Sequence, residues 1–330
     1  MNLVTGGTGL VGSHLILYLL KNNQPVRAIY RNEANIDKTK SLFDLYHCSE
    51  LFDKIEWFKA DICDVSSLEI CFKDVDYVYH CAAMVDLSLS DQAFYKTNVE
   101  GTANMVNLAM AYGVKKFAYV SSIAALGTPL KGQNSIDENT EWNFNELHSD
   151  YALSKYMGEM EVFRAYQEGL DIVIVNPGVI FGAGFKNSGG GVFVNKMLNN
   201  FKFCTKGNVG VVMVEDVCRA LYQLVNGDIS GKKFILVGQN LPLEELLETI
   251  AKVFDRRPPT IYLSKTITHI FYKLDALITA ITFKKRIFTK SMHNSAHTKY
   301  QYDNTLVRQL INMDFTTLEQ HLIDNKKYYL

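Results

Sequence analysis

The stretch TGGTGLVG (Thr5–Gly12) follows a short apolar run, Leu3–Val4, and leads into a segment with helical periodicity. Gly6, Gly9 and Gly12 recur every third residue, and a second reading takes Gly7, Gly9 and Gly12 as G-x-G-x-x-G. Either pattern suits a strand that turns sharply into a helix and offers bare backbone to a phosphate.

Working outward, strand and helix signals alternate. NLVT (2–5) is followed by a helix over 10–21. Further strands are predicted at 25–30, 54–61, 75–83, 115–122 and 171–178, and long helices over 91–112, ended by Gly113, and 150–168, ended by Gly169. Nearly continuous apolar strands separated by helices predict an α/β fold, a doubly wound parallel sheet of the Rossmann type. Ligands of such sheets lie beyond the carboxyl ends of the strands. The expected division is a dinucleotide-binding domain over 1–178 and a smaller substrate lobe over 179–330, interleaved with elements that return to the main sheet. In the second part, FGAGFKNSGGG (181–191) reads as a mobile loop, a helix is expected from about Glu215, 232–238 reads as a strand and 241–254 as an amphipathic helix.

Composition narrows the function. The chain has 330 residues, a formal net charge of −1 and no basic block that would mark nucleic-acid binding. Six cysteines form no C-x-x-C pair, which predicts reduced thiols in a cytoplasmic protein and no metal site. No secretory leader fits before Gly6. The apolar stretch 267–283 is interrupted by His269, Lys273 and Asp275. It is too polar and short to span a membrane. It is read as a helix covering core or a substrate pocket, with an interfacial helix as the alternative.

Proteins of this type that use NAD carry an acidic residue about 20 residues after the glycines. Here the second strand ends in Tyr30-Arg31-Asn32, and Arg31 suits a 2′-phosphate. NADP(H) is the favoured cofactor, and nearby Glu33 keeps NAD(H) open. The stretch YALSK (151–155) puts Tyr151 and Lys155 four residues apart on one helix face. A free phenol has a pKa of about 10, and a neighbouring ammonium lowers it toward useful acid–base chemistry.

With these motifs in order, the chain resembles the extended short-chain dehydrogenases/reductases of the NAD-dependent epimerase/dehydratase family. The likeness rests on Thr5–Gly12, ADI (60–62), HCAA (80–83), NVEGT (98–102), YVSS (119–122), YALSK and NPGVIFG (176–182). The resemblance implies that Gly6, Thr8, Gly9, Leu10 and Val11 face the pyrophosphate, and that Asp61 and Ile62 border the adenine. Ala82 and Ala83 would line the path to the ribose, and Pro177, Gly178, Val179 and Ile180 the nicotinamide. It also implies that Tyr151 is the acid/base, Ser122 holds the substrate oxygen, Lys155 holds the ribose and lowers the Tyr151 pKa, and Asn98 bends its helix and serves a proton relay. On the residues alone, Asn98 also reads as a cap, His80 as a satisfied core histidine, Ser121 as a stand-in for Ser122, and Asp216 as a helix cap.

VRAIYR, SSIAALG and the tail 295–310 resemble the dihydroflavonol reductase, cinnamoyl-CoA reductase and 3β-hydroxysteroid dehydrogenase branch. That implies hydride transfer between NADP(H) and a carbonyl or secondary alcohol of a small apolar substrate. Met84, Ile123, Phe185 and Phe193 are the substrate candidates, with Val85, Ala124 and Met213 beside them. Two alternatives stay open: a nucleotide-sugar epimerase with tightly bound NAD, and a non-catalytic NADP(H)-sensing protein. Ile123 and Ala124, where a dehydratase needs an acid, argue against dehydration. The partner expected is a small molecule, not nucleic acid. A homodimer through the helices at 91–112 and 150–168 is a further expectation.

Overall fold

A computed structural model describes residues 1–85, 91–129, 132–282, 288 and 290–330. Strands β1 (Asn2–Thr5), β2 (Val26–Tyr30), β3 (Ile55–Lys59), β4 (Tyr77–His80), β5 (Lys116–Val120) and β6 (Ile172–Pro177) are parallel. The chain then leaves the sheet through β7 (Val179–Phe181) and β8 (Asn208–Met213) and returns with β9 (Lys232–Leu236), which pairs with β6. The resulting order, β9-β6-β5-β4-β1-β2-β3, is the doubly wound sheet expected, with its switch point between β1 and β4. The strands are shorter than their apolar runs because the chain turns out of the sheet at their carboxyl ends, where the polar groups gather.

Alternation along each strand divides the core between the two faces. Val4, Ala118, Val120, Val173 and Val175 pack on one face against helices α1 (Leu10–Lys21) and, further along the chain, Val214–Asn226. Leu3, Phe117, Tyr119, Ile172 and Ile174 pack on the other, against α2 (Gly101–Ala111) and α3 (Asp150–Gln167). The helix predicted over 91–112 is not uniform. A short α-turn (Asp91–Phe94) passes into a π-helical segment (Tyr95–Glu100) before α2 begins. Gly113 ends it at φ +65°.

The second sheet runs β10 (Gln239–Pro242)-β8-β7, with β7 and β8 parallel. With α4 (Val214–Asn226) behind it in sequence, it packs on α5 (Leu243–Val253) around Phe181, Val211, Leu246 and Ile250. The glycine-rich stretch 181–191 forms a loop of turns after β7, with Gly190 against the Phe181 ring, where a Cβ would lie 2.3 Å away, and Gly191 against the Phe185 carbonyl oxygen, where it would lie 2.2 Å away. One expectation is corrected here. The stretch at 267–283 forms α6 (Lys265–Thr282), but its large apolar side chains are exposed instead of covering a core or pocket. Its last residue, Phe283, lies outside the described residues. Among the described residues, no helix is long and apolar enough to cross a membrane.

Candidate functional site

The glycine turn is held by contacts that only glycine allows. Gly6 has φ +66°, and a Cβ there would lie 2.8 Å from the Ala82 amide nitrogen. A Cβ on Gly12 would lie 2.2 Å from the Gly6 carbonyl oxygen. At Gly7 the same construction meets only side chains, the nearest at 3.0 Å. The backbone therefore depends on glycine at positions 6 and 12. The Gly9 amide donates to the Gly6 carbonyl (2.9 Å), and the Ala82 amide donates to the Thr5 hydroxyl (3.0 Å), fastening the end of β4 to the turn.

A groove runs over this turn at the switch point. Gly6, Thr8, Gly9, Arg31, Ile62, Ala82 and Ala83 line it together with Ile29, Tyr30, Ala60, Cys81 and Thr97. Arg31 is exposed at the end of β2. A glycine-lined backbone, a helix N-terminus and a cation at one end fit an anionic dinucleotide. The other residues expected around the cofactor make contacts within the protein. Leu10 is buried towards Gly182 and Gly189, and Val11 is half-buried. The Asp61 carboxylate accepts from the Cys63 amide (2.9 Å). Pro177 is buried at the end of β6, Gly178 donates its amide to the Leu236 carbonyl (3.1 Å), and Val179 and Ile180 pair with Val211 and Val212 in the second sheet.

Tyr151, Lys155 and Ser122 come together at the end of β5. Tyr151 and Lys155 lie one turn apart in α3, whose N-cap is Ser149, its hydroxyl accepting from the Ala152 amide (3.1 Å). The Ser122 hydroxyl accepts from the Ala124 amide (3.1 Å) and acts on the Tyr151 phenol, opposing the rise in its pKa. Ser121 points the other way and donates to buried Glu159 (2.5 Å).

The expected amine-acidified phenol is corrected. Burial raises the Tyr151 pKa, the Ser122 hydrogen bond opposes that rise, and Lys155 is not among the groups acting on it. The buried Lys155 ammonium instead donates to the Val120 carbonyl (2.8 Å) and lies 4.4 Å from the Tyr119 ring centroid. Burial pulls its pKa down to about 7, with Glu159 opposing the fall. Its charge also acts on His80 and on Cys81, which lines the groove.

Glu159 is a residue sequence reasoning missed. It is wholly buried and accepts from Ser121 and from the Asn176 amide (2.5 Å), with Lys233 3.9 Å away. Asn176 also donates to the Ser122 carbonyl (3.0 Å), so the carboxylate braces the ends of both β5 and β6. Its spacing, four residues after Lys155 and eight after Tyr151, is the signal that could have found it.

Asn98 lies within the π-helical segment. Its Oδ1 accepts from the Met84 amide (2.7 Å), and its Nδ2 donates to the Met84 carbonyl (3.0 Å) and the Ser154 hydroxyl (2.9 Å). Met84 is thus tied to α3 through its backbone. His80 has both ring nitrogens partnered, by Thr5 (2.7 Å) and Thr102 (3.1 Å), and burial pulls its pKa down to about 3. Asp216 is no helix cap: it accepts from the Thr316 amide (2.8 Å) and Arg219 (2.7 Å), anchoring the C-terminal segment.

A cavity opens directly after Ser122, lined by Ile123, Ala124, Leu126, Ile136, Tyr300 and Tyr302, with His148, Asn208, Ser295 and Thr298 among its polar members. No Lys or Arg is among its described lining residues. The tail reaches it because Gln301–Tyr302 pairs with Ser135–Ile136. Phe185 and Phe193 do not line it. Phe185 packs on His14 (6.0 Å between centroids), Phe193 joins the core of the second sheet, and Met213 is fully buried there.

The NAD-dependent epimerase/dehydratase family model matches residues 2–236. A putative dihydroflavonol 4-reductase from Synechocystis is 36% identical over 180 residues, 54% of this chain and 49% of that protein, so the chain matches about half of that relative's length. Cinnamoyl-CoA reductase 1 from Oryza sativa is 27% identical over 266 residues, covering 78% of this chain and 77% of that one. Among solved structures, a UDP-glucose 4-epimerase from Thermotoga maritima with UDP-glucose superposes with a TM-score of 0.76 at 20% identity, over 100% of this chain and 98% of that one.

Proposed function

The chain belongs to the NAD-dependent epimerase/dehydratase family, and from that premise we propose that it is a reductase acting between NADP(H) and a carbonyl of a small, largely apolar substrate. The observation that carries this reading is Ser122 acting on the Tyr151 phenol next to Ile123 and Ala124, which line a cavity with no Lys or Arg among its described lining residues. The names of the reductase relatives support it. A nucleotide diphosphate would call for Arg or Lys in that cavity.

When bound, the dinucleotide supplies the hydride. Ser122 then holds the substrate oxygen, and Tyr151 delivers the proton that balances the arriving negative charge. The raised phenol pKa keeps that proton in place at neutral pH, which suits reduction. Lys155 would hold the nicotinamide ribose, and Arg31 would pair with a 2′-phosphate. Asn98 fixes the Met84 backbone beside the reacting centre and braces Ser154, three residues past Tyr151.

Stopped-flow measurement of NADPH oxidation against a panel of ketones and aldehydes tests the reading. Saturable oxidation with apolar carbonyls is the expected result. Turnover of UDP-sugars with NAD retained through purification would assign an epimerase instead. Tight NADPH binding with no turnover would assign a sensor.

A further inference from the structure

The amphipathicity of α6 runs inside out. Ile267, Ile270, Phe271, Leu274, Ile278 and Ile281 recur at helical spacing along one stripe, and each is 41–69 % exposed. The side turned to the protein is polar. Thr268 is buried, its hydroxyl 2.9 Å from His293 Nδ1 and 2.8 Å from His297 Nε2, and the Tyr272 ring lies parallel to that of His293. A helix of 18 residues is about 27 Å long, so the stripe is far more than a single stray apolar side chain.

Charge indicates what covers the stripe. Residues 256–299 hold nine Lys and Arg against one acidic residue, Asp275, in a chain whose net charge is −1. Arg256, Arg257, Lys265, Lys273, Lys290 and Lys299 are exposed. In sequence, Lys284, Lys285 and Arg286 follow directly after the helix. A second copy seated on this face would bring like charges together. An anionic bilayer meets both features at once, with apolar side chains entering the acyl boundary and basic ones remaining among the headgroups.

We propose that α6 is an interfacial helix that docks the protein on an anionic membrane surface, lying in the plane of the headgroups. Ser295 and Thr298, 13 and 16 residues beyond the end of the helix, line the cavity beside Ser122. If the reductase reading holds, docking brings that cavity to a lipid phase in which apolar carbonyl compounds dissolve. The docking itself does not depend on that reading.

The test is co-sedimentation of the full chain with vesicles of phosphatidylcholine alone or mixed with phosphatidylglycerol. Binding to the anionic vesicles, weakened at high salt, is expected. Leu274→Asp with Ile278→Asp lowers the partition coefficient by roughly tenfold or more, because two apolar contacts become charged. Lys265→Glu with Lys273→Glu weakens binding to anionic vesicles by a similar factor. Both variants keep the wild-type melting temperature and NADPH affinity, because the altered side chains are exposed. Wild-type protein that ignores anionic vesicles overturns the proposal, as does a Leu274→Asp/Ile278→Asp variant that binds them normally. A dimer by light scattering that this variant dissociates, without vesicle binding, overturns it in favour of self-association. Loss of carbonyl turnover with vesicle binding intact leaves the docking standing and removes only the reductase reading.

Discussion

Gly12→Ala puts the glycine turn to a quantitative test. The added methyl carbon would lie 2.2 Å from the Gly6 carbonyl oxygen, 2.7 Å from the Gly6 carbonyl carbon and 3.1 Å from the Gly7 Cα. All three are backbone atoms, so no rotamer change relieves the clash. Relief to ordinary contact requires α1 and the turn to separate by about 1 Å, and overpacking of this kind costs about 1–3 kcal/mol. Alanine's better helix propensity returns up to about 1 kcal/mol. The net loss, up to about 3 kcal/mol, corresponds in a chain of 330 residues to a melting temperature lower by up to roughly 4 °C. NADPH binding should weaken as well, because the same shift displaces the amides proposed to face the phosphates. A dissociation constant for NADPH weaker by about tenfold or more, worth about 1.4 kcal/mol, is expected. Gly6→Ala should behave similarly, since φ +66° and the 2.8 Å approach to Ala82 both oppose it. Gly9→Ala, whose methyl would lie 3.3 Å from the Gly6 oxygen, should melt within about 0.5 kcal/mol of wild type. Thermal melts and fluorescence titration with NADPH on the three variants check the ranking. A Gly12→Ala protein with unchanged melting temperature and unchanged NADPH affinity would refute the argument.

Tyr151→Phe should lower kcat by about 10²–10⁴-fold in NADPH-dependent reduction while leaving the NADPH dissociation constant within about twofold. Arg31→Asp should swing the NADP/NAD preference by about tenfold or more towards NAD, read from dissociation constants for both dinucleotides. Lys155 has its pKa lowered to about 7, so it sheds its proton as pH rises; kcat/KM for reduction should fall towards tenfold per pH unit above that value. Glu159→Gln removes the carboxylate that favours the ammonium, and should move that inflection to lower pH; an inflection unmoved in the variant would separate Glu159 from Lys155.

The parts of the fold legible in the sequence are those written in local periodicity. The strands, α1 and α3 follow from apolar spacing and from the punctuation of Gly6, Gly113 and Gly169. Seven residues of the groove also follow, because they lie in short motifs at strand ends. What stayed hidden depends on partners distant in sequence. Glu159 reads as an ordinary surface residue of a helix until Ser121 and Asn176 close on it. The direction of the Lys155 ammonium is set by a carbonyl of β5, not by the tyrosine one turn away. Phe185 and Phe193 looked like pocket walls because an apolar residue carries no label for which cavity it fills. Residues 267–282 show a helical pattern in sequence, but nothing in a periodicity tells whether the apolar side meets protein or the outside.

The π-helical segment has a consequence for how the chain tolerates change in length. Its wider turn spends one residue beyond what an α-helix would need, and that surplus sets the angle at which Asn98 meets the Met84 backbone. Deleting a single residue between Tyr95 and Glu100 would remove that surplus and let the rod close into a regular α-helix with its two ends still in phase, taking away the wide turn that presents Asn98. Such a shortened chain gains helical regularity and still loses the clamp, so the extra residue serves to reach Met84 and not to set the direction of the rod.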